Sequence, residues 1–190
     1  EPVKGDILIG GLSLKRYSQS EWRRRCGVVM QEGFIFSDTI AGNIGLIDDM
    51  PDKEKLDRAV ETANIKDYIE GLPLGYNTRI GNDGQGLSTG QKQRLLIARA
   101  VYKDPDFIFF DEATNALDAT NERTIMEKLG AFFKGKTVVI VAHRLSTVKN
   151  ADQIIVLDKG EVAETGTHRE LVNRKGVYFN LVKDQLELGG

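Results

Sequence analysis

The run Phe107-Ile108-Phe109-Phe110, which meets Asp111-Glu112 with no turn residue between, constrains the fold more than any other stretch of this chain. A short, wholly apolar segment of this kind suits a strand covered on both faces, as in a parallel sheet with helices on either side. An amphipathic helix is predicted next, over 121–133, with Ile125, Met126, Leu129 and Phe132 inward, and then a strand over 137–142. Strand, helix and strand within about 30 residues make a right-handed crossover unit. The fold class is therefore α/β.

The upstream pattern agrees. Asp6-Ile7-Leu8-Ile9 before Gly10-Gly11 reads as a strand and turn, and Cys26-Gly27-Val28-Val29-Met30 as an apolar run stopping at Gln31. A helix is predicted over 52–64, with Leu56, Ala59, Val60 and Ala63 on one face. Residues 71–86 are rich in Gly, Asn, Asp and Pro and predict a loop. Leu87-Ser88 then opens a long helix to about Lys103, ended by Asp104-Pro105. A hairpin over 153–164 turns at Lys159-Gly160, and two short helices close the chain. The insert between Gln31 and Asp104 is mostly helical.

Composition removes several function classes. With 26 Lys+Arg against 28 Asp+Glu, the net charge of −2 argues against a chain held mainly by nucleic-acid phosphates. Cys26 has no second cysteine to pair with, which excludes an intramolecular disulfide framework or a thiolate metal cluster. No aliphatic run approaches the roughly 18 residues needed to span a bilayer. The chain opens on Glu1-Pro2, so a piece of a longer protein is expected.

Two segments carry candidate chemistry. Ser88-Thr89-Gly90-Gln91 lies where a loop becomes a helix, and a helix start offers unpaired N–H groups and about half a positive charge to an anion. Ser88 adds a hydroxyl, and Gly90 admits a phosphate close to the backbone. The same residues also suit an ordinary helix cap with no ligand. The second segment is Asp111-Glu112 followed by Asn115-Ala116-Leu117-Asp118. Carboxylates at the carboxyl end of a parallel strand sit where open α/β sheets bind ligands. One can hold Mg²⁺ and the other can orient and deprotonate a water, or both can merely end the strand. His143 follows the next strand, and Gln31 ends an earlier one, so four polar groups are expected at one sheet edge. A lone His is more often structural than functional.

Ser88-Thr89-Gly90-Gln91-Lys92-Gln93-Arg94, the apolar strand ending in Asp111-Glu112-Ala113-Thr114, Ala116-Leu117-Asp118 and Ala142-His143-Arg144 together resemble the nucleotide-binding domain of ABC transporters. The motifs follow that family's order over essentially the whole chain. Tyr76-Asn77-Thr78-Arg79-Ile80-Gly81 looks like the exporter branch, with most similarity to bacterial peptidase-containing toxin and bacteriocin exporters. The resemblance implies a P-loop NTPase-like parallel sheet flanked by helices, with an inserted helical subdomain. It divides the chain into a truncated amino-terminal part of the ATPase core at 1–31, the helical subdomain at 32–104 and the rest of the core at 105–190. It implies ATP and Mg²⁺ as ligands, with Gln31 and Asp111 at the metal, Glu112 as catalytic base and His143 as switch histidine. Ser88, Thr89, Gly90 and Gln91 become the signature meeting the partner's ATP, and Asp118 the D-loop residue. Implied partners are a second ATPase domain, in a homodimer, and the exporter's transmembrane domain, with no nucleic acid. The implied location is the cytoplasmic face of the bacterial inner membrane. Thr89 stands where Gly is usual and Asn115 where Ser is common, departures expected to tune activity without abolishing it.

That family also needs a phosphate-binding loop, Gly-x-x-x-x-Gly-Lys-Ser/Thr, between a strand and a helix. Gly130-Ala131-Phe132-Phe133-Lys134-Gly135-Lys136-Thr137 matches the letters, but a predicted helix precedes it and a strand follows, the reverse order. Two phenylalanines also occupy positions where small residues must let N–H groups curl inward. The true loop, with its strand and helix, is expected before Glu1. Each missing charge-assisted hydrogen bond is worth roughly 1.5–3 kcal/mol. Millimolar-to-micromolar binding amounts to about 4–8 kcal/mol, so these 190 residues alone are expected to be inactive. Two alternatives belong to other classes: a non-transport ABC ATPase of the DNA-repair or translation type, and a regulatory module that only lends its signature.

Overall fold

In the computed structural model, the residues described are 2–46, 48–81, 84, 86–142 and 144–188. The chain forms two units, Glu1–Val139 and Ile140–Gly190.

In the first unit, β1 (Leu8–Ile9) and β2 (Leu12–Ser13) form a hairpin across Gly10 and Gly11. Their φ values of 56° and 82° are the left-handed pair that a tight two-residue turn needs. Helix α1 (Gln19–Arg25) leads into β3 (Cys26–Val29). Gly27 in β3 is required by packing, because a Cβ there would lie 2.6 Å from Pro105 Cγ. Next come β4 (Asp38–Thr39), α2 (Ile40–Ile44), α3 (Lys53–Thr62) and α4 (Lys66–Glu70). Asp52 caps α3 by accepting the Lys55 N–H at 2.8 Å, and Leu56, Ala59, Val60 and Ala63 are buried, as their spacing predicts.

The stretch expected to be all loop is partly ordered. A 3-10 turn at Gly75–Asn77 precedes β5 (Arg79–Ile80), which pairs antiparallel with β4. Two-residue strands are too short to show alternation in the sequence, and their pairing depends on residues 40 and 42 positions apart.

Helix α5 (Thr89–Lys103) is the centrepiece, packed against α2, α3 and β3. Leu95, Leu96, Ile97, Ala98 and Ala100 are buried along it. It stops where expected: Asp104 takes a left-handed φ of 49°, and Pro105 cannot continue the helix. Strand β6 (Phe107–Asp111) follows, then α6 (Ala119–Phe132) and β7 (Thr137–Val141). The sheet order is β3-β6-β7, with β3 parallel to β6 in the register Cys26↔Phe107 to Val29↔Phe110. Ile108 and Phe110 are buried, while Phe107 and Phe109 are half-buried, so one face of β6 is covered less fully than its composition suggests. Of the α6 residues expected inward, Ile125 and Leu129 are fully buried and Met126 and Phe132 half-buried.

The second unit contains α7 (Leu145–Val148) and the antiparallel pair β8 (Ile154–Asp158) and β9 (Glu161–Gly166). Lys159 (φ 49°) and Gly160 (φ 82°) make the expected tight turn. Helices α8 (His168–Arg174) and α9 (Val177–Leu188) follow. Ile154, Val156, Leu171, Tyr178 and Val182 form this unit's core. Among the described residues, no helix is long and apolar enough to cross a membrane.

Candidate functional site

Because β3 and β6 are parallel and Val29 lies opposite Phe110, both strands deliver the next residues to the same edge. Gln31 follows one strand and Asp111-Glu112 end the other, and the side chains of Gln31 and Asp111 are exposed. The end of β3 is tied to α5, since buried Gln93 donates its Nε2–H to the Met30 carbonyl at 3.4 Å. The segment after Gln31 is held more firmly. Arg99 of α5 donates to Asn43 O at 2.7 Å and Phe34 O at 3.0 Å, and its burial pushes its pKa down. Asn43, itself fully buried, bonds both the N–H and the carbonyl of Phe36. Sequence reading missed this clamp; Arg99 interrupts the otherwise apolar run 95–101 of α5, and that is its only signal.

Glu112 takes a left-handed φ of 49°, a conformation that costs energy for a non-glycine residue and concentrates at functional sites. Asn115 Nδ2–H donates to Glu112 Oε2 at 2.5 Å across the turn. Asn115, expected only to tune activity, thus touches the carboxylate assigned as base. Below it, the Thr114 hydroxyl donates to buried Glu122 Oε1 at 3.0 Å, fixing the turn to the first turn of α6. Asp118 caps α6: its Oδ1 accepts from Thr120 N–H at 3.1 Å and Asn121 N–H at 2.9 Å, its Oδ2 from Asn121 Nδ2–H at 2.6 Å. These bonds, the Asn121 side chain foremost, hold the exposed Asp118 carboxyl below its ordinary pKa.

At the start of α5 the structure forms a capping box. Ser88 Oγ accepts the Gln91 N–H at 3.2 Å, and Gln91 Oε1 accepts the Ser88 N–H at 2.9 Å. The capping alternative is therefore realised, but it does not use up the helix start. The N–H groups of Thr89 and Gly90 lie between the two capped ones, and the Ser88 hydroxyl proton can still be donated. Ser88 and Thr89 are exposed. Gly90 lies beside the Asp118 turn: a Cβ on it would be 3.6 Å from Ala116 O. His143 lies outside the described residues.

The donor set fits Mg²⁺. Asp111 and Gln31 offer hard oxygen ligands, and among the described residues no group of three His, Cys, Asp or Glu could hold an ion unaided. Mg²⁺ needs no such cage, because it keeps waters and leans on one or two carboxylates plus substrate phosphates. The Gly130-to-Thr137 match is not a phosphate loop. It joins α6 to β7, and Lys136 is already engaged by Asp104 Oδ1 at 2.8 Å and Pro105 O at 3.0 Å.

Residues 1–115 match the family model described as ABC transporter. The chain belongs to the ABC transporter family. It is 45% identical over 188 residues to an ATP-dependent lipid A-core flippase of Ralstonia nicotianae, covering 97% of this chain and 32% of that protein. It is 46% identical over 185 residues to the ABC multidrug transporter MDR5 of Trichophyton rubrum, covering 96% and 14%. The solved structure of a bacterial Atm1-family ABC exporter with ATP bound matches at a TM-score of 0.92 and 40% identity, covering 98% of this chain and 33% of that one. The chain thus spans about a third of the length of its flippase relative. It is an ABC transporter ATPase domain of the exporter type, and its fold is the P-loop NTPase-like α/β fold expected.

Proposed function

We propose that this chain is the ATP-hydrolysing part of an ABC exporter, working as one of two facing copies joined to a transmembrane domain at the cytoplasmic face of the bacterial inner membrane. The reading rests on one observation above all: two adjacent parallel strands run out toward the same edge, one shortly before Gln31 and the other at Asp111-Glu112, in a chain of this family. In this reading, residues 1–31 and 105–190 belong to the ATPase core and 32–104 to the helical subdomain. Asp111 and Gln31 would hold Mg²⁺, which would supply neutralisation of charge on the phosphoryl oxygens of ATP. Glu112 orients the attacking water and takes its proton, with His143 on the γ-phosphate. The Thr89 and Gly90 N–H groups and the Ser88 hydroxyl, with Gln91 and Asp118 beside them, meet the γ-phosphate of ATP held by the partner. ATP then completes an interface that neither copy makes alone, so binding closes the pair and hydrolysis reopens it.

The peptide or toxin cargo expected from the motifs has no support in the relatives described above, which are named for lipid A-core and multidrug transport. Transport of a peptide by the reconstituted exporter decides that finer proposal. A module lending only its signature is disfavoured, because Glu112 and His143 are both retained. Asp111→Asn in the complete exporter tests the assignment. It is expected to abolish Mg²⁺-dependent ATP hydrolysis, and unchanged turnover with an unshifted Mg²⁺ titration would remove Asp111 from the metal.

A further inference from the structure

Asn64 lies just beyond α3, far in sequence from both exposed segments proposed to meet ATP, yet it is bonded toward each. Its φ of 53° is left-handed, a conformation Asn tolerates better than most residues. That turn exposes its carbonyl to α5, where Arg94 Nη1–H donates to Asn64 O at 3.0 Å. Arg94 also donates to Gly90 O at 3.3 Å, within the first turn of α5. On the other side, Asn64 Nδ2–H donates to Asn121 Oδ1 at 3.2 Å. Asn121 in turn grips Asp118 through both its side chain and its backbone N–H. Lys128 of α6 closes the junction, donating to Asn64 Oδ1 at 3.2 Å and to Glu61 O and Oε1, each at 2.9 Å. A continuous chain of hydrogen bonds therefore runs Gly90–Arg94–Asn64–Asn121–Asp118. Across the gap, a Cβ added to Gly90 would come to 3.6 Å from Ala116 O, so the two ends of that chain are also neighbours in space.

We propose that Asn64 is a positioning residue that sets the start of α5 and Asp118 in one fixed relation, so that both reach a partner's nucleotide together. This rests on the reading of Ser88-Thr89-Gly90-Gln91 and Asp118 as groups acting across the dimer. A point-charge contact could be replaced by any polar residue. This junction cannot, because it uses a left-handed backbone, a carbonyl acceptor, an amide acceptor and an amide donor at one position. Misplacing a reacting group by a fraction of an ångström costs turnover more than ground-state affinity.

Asn64→Gly isolates the side chain, since glycine keeps the left-handed turn and the carbonyl that Arg94 uses. In the complete exporter, Asn64→Gly is expected to lower kcat about tenfold. KM for MgATP should move by less than about twofold. Asn121→Ala, which loses the bond to Asn64 and its own bond to Asp118, should lose at least as much, and the double variant should be no worse than Asn121→Ala alone, because both interrupt one chain. Asp118→Ala is the control for the underlying reading. Turnover within about twofold of wild type in Asn64→Gly, or losses that add in the double variant, would overturn the proposal while Asp118→Ala stays slow. Wild-type turnover in Asp118→Ala would overturn the underlying reading and the proposal with it.

Discussion

Ser88 caps a helix and is also proposed to face a phosphate, and a pair of substitutions separates the two jobs. The capping box contains two bonds, of 3.2 and 2.9 Å, and Ser88→Ala removes the first while loosening the second. Loss of an N-cap costs about 1 kcal/mol, within a range of roughly 0.5–2, which is close to fivefold in any equilibrium that needs the first turn of α5 intact. Ser88→Asp behaves differently. Asp caps a helix about as well as Ser, so a residue that only caps would tolerate the change. A carboxylate roughly 4 Å from a phosphate oxygen, at an effective dielectric near 20, costs about 4 kcal/mol. That corresponds to roughly a thousandfold loss of closure. The assay is steady-state ATP hydrolysis of the complete exporter, with the thermal midpoint measured alongside. Ser88→Ala should lose several-fold activity and some thermal stability, whereas Ser88→Asp should keep the midpoint and lose nearly all activity. An active Ser88→Asp variant would reduce Ser88 to a helix cap and remove it from the nucleotide interface.

Two further outcomes follow from the structure and sequence. Tyr76 donates to Asp57 Oδ1 at 2.8 Å, and burial first, then this bond, raises its pKa from the ordinary 10.0. A raised folded pKa gives stability that is full below the unfolded value and is lost as pH climbs toward the folded one. Unfolding followed from about pH 8 to 12 should show a shallower alkaline decline in Tyr76→Phe than in wild type, and equal slopes would deny Tyr76 that role. The Gly130-to-Thr137 match joins a helix to a strand, and no strand-to-helix phosphate loop occurs among the described residues, so calorimetric titration of the 190 residues should detect no micromolar affinity for MgATP; such affinity would mean the nucleotide is held by other groups.

Much of the architecture was legible because its signals are local. The 52–64 helix showed its buried face through apolar spacing, and α5 was bracketed by a serine cap and an Asp-Pro stop. The β6 strand announced itself as an apolar run, and its two acids marked the sheet edge. What stayed hidden depends on partners distant in sequence. The β4–β5 pair joins residues 40 and 42 apart with two residues on each side, too few for any pattern. The Arg99–Asn43 clamp and the Asn64 junction join side chains across 56 and 57 positions, and neither a lone arginine nor an asparagine at a helix end reveals its acceptor. The doubled role of the α5 start was visible as an ambiguity, and the capping box engages the N–H groups of Ser88 and Gln91, leaving those of Thr89 and Gly90 for the proposed phosphate contact.

The central claim is that Glu112, presented on its left-handed turn at the carboxyl end of β6, takes the proton from the water that attacks ATP. Single-turnover hydrolysis by the complete exporter carrying Glu112→Gln, with bound ATP counted in parallel, tests this most directly. A general base contributes about 10²–10⁴-fold, so hydrolysis should fall by at least a hundredfold while ATP stays bound and the pair stays closed. Hydrolysis at the wild-type rate in Glu112→Gln would contradict the assignment and require the base to come from elsewhere.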